Sequence, residues 1–252
     1  MQTKAMATFV ATALIVFAVG AGSAIAEEHA KAKSSEDRPV ESQLNELKLK
    51  SAKQTPPKML EAGRQGNAEL EASGFLDKAV KPGEKAPKFS LSDAHGKTVS
   101  SDDLLEKGPI VLVFYRGAWC PFCNLYLNSL QEYLPQFEAM GAQLVAVSGE
   151  SPDNSLAVEE SNKLTFTVLS DPGLKVAKEF GIAYELPTVV NDVILEVGFD
   201  MAKYYGTEKA ELPVSATYVI QEDGTIAYAF AEVDYKVRAE PADVLEVLET
   251  LQ

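Results

Sequence analysis

Short, continuous apolar runs stand out along an otherwise mixed chain. Ile110-Val111-Leu112-Val113-Phe114 and Leu144-Val145-Ala146-Val147-Ser148 read as buried strands, and Phe166-Thr167-Val168-Leu169 as a further strand. Between them the period changes. Leu127, Leu130, Leu134 and Phe137 recur at helical spacing up to Gly141, with a kink expected at Pro135. Residues 152–163 also read as a helix, and Leu174, Val176, Ala177 and Phe180 predict a short one ended by Gly181. Ala216–Ile220 and Thr225–Phe230 flank Glu222-Asp223-Gly224, a strong hairpin signal. Val244, Leu245, Val247, Leu248 and Leu251 give a last amphipathic helix behind Pro241. The order βαβαβα followed by ββα predicts an α/β fold, with a mixed central sheet flanked by helices and an antiparallel hairpin at one side.

Outside that frame the pattern weakens. Phe89-Ser90-Leu91 and Thr98-Val99-Ser100 around the turn at 94–97 predict an N-terminal hairpin, so the compact domain is expected over 81–252. Residues 189–205 look helical in part and form an insertion between core elements. Residues 27–80 read as a polar extension. Its first part, to about residue 55, has only a weak stripe at Leu44, Leu47 and Leu49 and is expected to be a solvated linker or frayed helix. Its second part is expected to be helical, with Met59, Leu60, Leu70, Phe75 and Leu76 as docking contacts and Gly74 as an interruption.

The first residues carry an export pattern: Lys4, an apolar core over 11–19 broken only by Thr12, and Ala24-Ile25-Ala26 before Glu27-Glu28. A signal peptide over 1–26 is therefore expected, with an exported, periplasmic mature protein free of the membrane. The runner-up is an uncleaved anchor, for which the apolar run is short.

Composition narrows the functional classes. The 252 residues are 46% hydrophobic and 24% charged, which is ordinary for a globular protein. A net charge of −14 argues against nucleic acid as a partner, because phosphate binding needs a basic face. The two histidines, His29 and His95, fall in the extension and in a turn, so neither a metal site nor a Cys-His dyad is suggested and no cofactor is expected.

The candidate chemistry is concentrated in one segment. The only two cysteines lie in Trp119-Cys120-Pro121-Phe122-Cys123, at the junction between the first long buried strand and a helix. A disulfide here would close almost no loop, so an inert staple is a poor explanation. Strand, Cys-x-x-Cys, helix is instead the setting of a redox couple. Pro121 suits the first helical turn and is expected to help keep the loop open to reactants. Arg116 is the guanidinium of the motif. Trp119 is expected to shield the pair, to offer a partner surface, or simply to pack.

This arrangement resembles the thioredoxin superfamily. The segments Phe114-Tyr115, Val147–Pro152, Leu169-Ser170-Asp171-Pro172 and Ala216–Ile220 further resemble landmarks of the AhpC/TSA peroxiredoxins, over roughly residues 80 to 250, and specifically the branch with Trp-Cys-Pro-x-Cys. The resemblance implies a thioredoxin-like fold and two competing assignments. On thioredoxin logic Cys120, at the helix N-terminus, is the nucleophile and Cys123 resolves. On peroxiredoxin logic Cys123 is the peroxidatic cysteine, Cys120 replaces the family's threonine and Arg116 its proline. Both families leave a gap at Ser215, where peroxiredoxins usually carry an arginine and thioredoxins a cis-proline. Arg116 would then stand in for the missing cation, while Tyr115, Tyr126 and Thr217 could orient the thiols or merely pack.

The leading expectation is a thiol-dependent peroxidase. It would reduce hydrogen peroxide or organic hydroperoxides through Cys120 and Cys123, with recycling by an external, thioredoxin-like dithiol reductant. The alternatives are an exported thiol–disulfide oxidoreductase acting on protein disulfides, and a non-catalytic redox sensor or binding module.

Overall fold

The computed structural model describes residues 38–252. The signal segment lies outside the described residues. A seven-stranded sheet runs through the molecule in the order β2-β1-β5-β4-β3-β8-β9. Its strands are β1 (Ser90–Asp93), β2 (Thr98–Ser100), β3 (Ile110–Phe114), β4 (Gln143–Ser148), β5 (Thr167–Ser170), β8 (Ser215–Ile220) and β9 (Ile226–Glu232). The central trio β3, β4 and β5 is parallel, and β1–β5, β3–β8 and β8–β9 are antiparallel. The sheet is therefore mixed, with a hairpin at each end, as the element order predicts.

The central strands read as unbroken apolar runs because both sheet faces are covered. Val111, Val113 and Tyr115 point into one core with Leu127, Leu130 and Phe137. Ile110, Leu112 and Phe114 point into the other with Phe180 and Tyr218. The first core is roofed by α4 (Pro121–Ala139), which continues through Pro135, and by α9 (Pro241–Glu249). The remaining core helices are α3 (Ser101–Leu105), α5 (Pro152–Asn162) and α6 (Lys175–Glu179).

The extension differs from the expectation of a solvated linker. Helix α1 (Pro39–Gln54) docks on the first core through Val40 and Leu44, which are buried, and through Leu47, whereas Leu49 is exposed. Its N-terminus is held by a buried carboxylate. Glu240 accepts hydrogen bonds from the Val40 and Glu41 N–H groups at 3.3 and 3.0 Å, and Arg38 pairs with Asp243 at 2.9 Å. The orphan donors of a helix start are thus satisfied from a distant segment, which pins a helix whose own sequence is mostly polar.

Helix α2 (Pro57–Ala72) meets the 183–213 insertion. A Cβ on Gly66 would lie 2.4 Å from Val190, so the two elements approach as closely as a glycine allows. Gly74, in the left-handed region at φ 64°, then turns the chain into a 3-10 turn over Phe75–Lys78. The insertion contains α7 (Thr188–Glu196) and α8 (Met201–Tyr205), as its helical pattern predicts. It is also framed by a small antiparallel sheet of β6 (Ala183–Glu185) and β7 (Glu211–Pro213), too short to show a sequence period.

Candidate active site

The cysteines sit where the sequence places them, at the C-terminal end of β3. Cys120 is the N-cap residue of α4, Pro121 occupies its first turn and Cys123 follows within that turn. Both cysteines are free thiols. Contrary to the expectation of an open loop, both are buried, at 1% and 0% exposure, and only Pro121 between them is exposed. The sulfurs turn inward because Cys120, Phe122 and Cys123 all belong to the core beneath α4.

The two thiols differ in environment. Burial opposes ionisation of Cys123. A hydrogen bond from the Cys120 thiol, the charges of Arg238 and Arg116, and the Arg116 backbone N–H outweigh that cost and hold Cys123 well below the ordinary thiol range. Burial, reinforced by the neighbouring Cys123, pushes Cys120 well above that range. The pair is thus polarised toward a Cys123 thiolate with a Cys120 thiol donating to it.

Arg238 is the residue sequence reasoning missed. Its Nη2 donates to the Cys123 sulfur at 3.4 Å, while its Nη1 donates to the carbonyls of Tyr235 and Val237, the latter at 2.8 Å. It comes from the β9–α9 connection and is itself buried. The cation absent at Ser215 is therefore supplied from another part of the chain, and Arg116 is not its sole replacement. Ser215 opens β8 opposite Glu232, buried, with its hydroxyl unpaired among the described residues.

Arg116 is also buried. Its guanidinium lies 4.6 Å from the Trp119 ring centre and 4.1 Å from that of Tyr235, and its Nε has no hydrogen-bond partner among the described residues. Tyr235 also meets Phe122 edge-on at 5.7 Å. Trp119 is half-buried and packs, rather than standing out as a partner surface. Its Nε1 donates to the Tyr205 hydroxyl at 3.2 Å. The Thr217 hydroxyl pairs with that of Tyr126 at 3.2 Å, and the Tyr126 ring faces Arg238 at 6.0 Å. Tyr115 is buried, and its hydroxyl has no hydrogen-bond partner among the described residues.

The loop before the cysteines is held by Glu150, just after β4, and by the insertion. Glu150, fully buried, accepts from the Ala118 N–H through both carboxylate oxygens at 3.0 and 3.1 Å, and from the Tyr204 hydroxyl. The Tyr205 hydroxyl donates to the Arg116 carbonyl. Gly117, at φ 149°, has no room for a side chain: a Cβ would lie 2.7 Å from Trp119 Nε1 and 2.9 Å from a Glu150 oxygen. Two surface clefts, lined by Lys107, Gly141 and Glu222 in one case and by Lys85, Asp102 and Ile110 in the other, lie by the opposite end of β3 and do not include the cysteines in their lining.

Comparison with known proteins identifies the family. Residues 82–229 match the AhpC/TSA family model, a span that includes both cysteines, Arg116 and Glu150 but not Arg238. The chain is 30% identical over 159 residues to a chloroplastic peroxiredoxin Q of Triticum aestivum, covering 63% of each chain. It is 30% identical over 164 residues to that of Sedum lineare, covering 65% of this chain and 75% of the relative. The chain therefore spans a little under two thirds of the wheat protein's length. Among solved structures, the peroxidoxin BcpB of Mycobacterium tuberculosis superposes with a TM-score of 0.55 at 21% identity, covering 69% of this chain and 99% of that one. This likeness confirms the thioredoxin-like fold. With its matched span covering more than half of the chain, the protein belongs to the AhpC/TSA family, among the peroxiredoxin-like members of the thioredoxin superfamily.

Proposed function

We propose that the protein is a thiol-dependent peroxidase in which Cys123 attacks and Cys120 resolves. One observation carries the assignment of roles: Arg238 donates to the Cys123 sulfur while the Cys120 thiol also points at it, so charge is favoured on Cys123 and disfavoured on Cys120. The Cys123 thiolate attacks the outer oxygen of a hydroperoxide. The O–O bond breaks, Cys123 becomes a sulfenic acid, and the departing alkoxide or hydroxide takes up a proton. The Cys120 thiol then displaces the hydroxyl, giving water and the Cys120–Cys123 disulfide. An external dithiol restores both thiols and is itself oxidised to a disulfide.

Arg238 and Arg116 favour the thiolate and are near enough to offset the negative charge that passes to the peroxide oxygens. Attack by Cys120, as protein-disulfide exchange on the thioredoxin pattern would require, runs against the polarity of the pair. The reading includes export, supported by the leader-like pattern of residues 1–26. Fractionation of cells with N-terminal sequencing of the mature chain tests that part. The activity is tested by following hydrogen peroxide and alkyl hydroperoxide consumption by the reduced protein with dithiothreitol. Turnover well above that of a free thiol, lost in Cys123→Ser, supports it, and a rate equal to that of a free thiol refutes it.

A further inference from the structure

The Phe114–Cys120 connection has few bonds of its own. The Tyr115 N–H donates to the Val147 carbonyl at 3.0 Å, the Cys120 N–H to the Gly117 carbonyl at 3.1 Å, and Asn124 Nδ2 to the Ala118 carbonyl at 2.8 Å. Two groups in its middle, the Arg116 carbonyl and the Ala118 N–H, are satisfied only from outside. Tyr205 of the insertion takes the first and Glu150 the second, with Tyr204 steadying the carboxylate. Tyr205 also accepts from Trp119, whose ring supports the Arg116 guanidinium. The approach is close, since a Cβ on Gly149 would lie 2.7 Å from the Tyr205 ring.

We propose that Tyr205 and Glu150 are positioning residues of the thiolate site: they fix the backbone from Arg116 to Ala118 so that the Arg116 N–H stays directed at Cys123 and the guanidinium keeps its place against Trp119 and Tyr235. The inference deepens the peroxidase assignment and rests on Cys123 being the thiolate. The role of Glu150 is geometric. Its negative charge near Cys123 opposes the thiolate, so only the bond to Ala118 can help. Through Tyr205 the insertion thereby contributes a positioning residue to the thiolate site.

The test is the pH dependence of Cys123 alkylation by iodoacetamide, located by mass spectrometry, in the otherwise native reduced chain. It needs no peroxide. Tyr205→Phe is expected to move the ionisation midpoint upward and to slow alkylation below that midpoint about fivefold, the scale of one lost hydrogen bond. Glu150→Ala and Glu150→Gln both remove the opposing charge, so the lost bond is read as the about fivefold by which the alanine variant trails the glutamine variant. Glu150→Gln keeps an amide oxygen that can still accept from Ala118 and is expected to have a midpoint no higher than that of wild type. Glu196→Gln, which removes an insertion contact to Lys58 away from the loop, behaves as wild type. Should Glu150→Ala fail to fold, Tyr205→Phe decides alone, because it removes a single oxygen. An unshifted midpoint in Tyr205→Phe, beside a wild-type midpoint below the ordinary thiol range, overturns the proposal. A wild-type midpoint in or above the ordinary range overturns the thiolate assignment beneath it.

Discussion

Arg238 Nη2 lies 3.4 Å from the Cys123 sulfur, although 115 residues separate the two in the chain. The contact joins a connection after the last strand to the first turn of α4. The same guanidinium bonds the carbonyls of Tyr235 and Val237, so it shapes its own loop while reaching the sulfur. A hydrogen bond involving a charged partner is worth about 1.5–3 kcal/mol. Arg238→Ala is therefore expected to lower the second-order rate with peroxide by roughly ten- to a hundredfold, with the thiolate midpoint moving up. Arg238→Lys keeps the charge but not the fork, and should recover only part of the rate. Stopped-flow peroxide kinetics on the three proteins checks this.

The polarised thiols also make stability depend on pH. Cys123 has a folded-state pKa below its unfolded value, so the unfolded chain binds the extra proton between the two. Stability of the reduced protein therefore rises with pH from the depressed Cys123 value up to the ordinary thiol range, and this contribution is lost as pH falls through that depressed value. Cys120 acts in the opposite sense: its raised value makes stability fall as pH climbs above the ordinary range. Chemical denaturation of the reduced protein across the neutral and alkaline range should show a maximum that Cys123→Ser removes.

Glu240 fastens α1 to the domain. Its carboxylate caps the Val40 and Glu41 N–H groups, and no side chain within α1 does so. Glu240→Ala should cost about 1–2 kcal/mol, the scale of a lost helix cap, and should raise amide exchange over residues 39–54 far more than in β3 or β4. Uniform exchange across α1 and the core strands would contradict this.

Gly117 is required by space as well as by its φ of 149°. Gly117→Ala would drive a methyl against Trp119 Nε1 and the Glu150 carboxylate, displacing the groups that hold the Ala118 N–H. Peroxide turnover should fall while the far-ultraviolet circular dichroism stays unchanged. Wild-type turnover would contradict the packing described for this loop.

The parts of this site that could be read from the sequence are those built by local patterns. The continuous run Ile110–Phe114 and the spacing of Leu127, Leu130, Leu134 and Phe137 are enough to place Cys120 and Cys123 at a strand–helix junction. Arg238 was not legible in the same way. It lies among Asp234, Lys236 and Glu240, and nothing local separates an arginine aimed at a sulfur from one aimed at water. Helix α1 was underestimated for a similar reason, since its few apolar positions suffice only when Glu240 and the first core receive them. Strands β6 and β7, at three residues each, are too short to show alternation. Tyr204 and Tyr205 fall in the partly helical insertion, and only the fold sets them beside Glu150 and Arg116. Glu150 carried a faint signal, as an acidic residue directly after the buried strand β4, within the Val147–Pro152 landmark.

The central claim is that Cys123 attacks and Cys120 resolves. Dimedone labelling of reduced Cys120→Ser and Cys123→Ser after one equivalent of hydrogen peroxide, with mass-spectrometric location of the adduct, tests it most directly. The account predicts one sulfenic acid at Cys123 in Cys120→Ser and no adduct in Cys123→Ser. An adduct at Cys120 in Cys123→Ser, with none at Cys123 in Cys120→Ser, would contradict it.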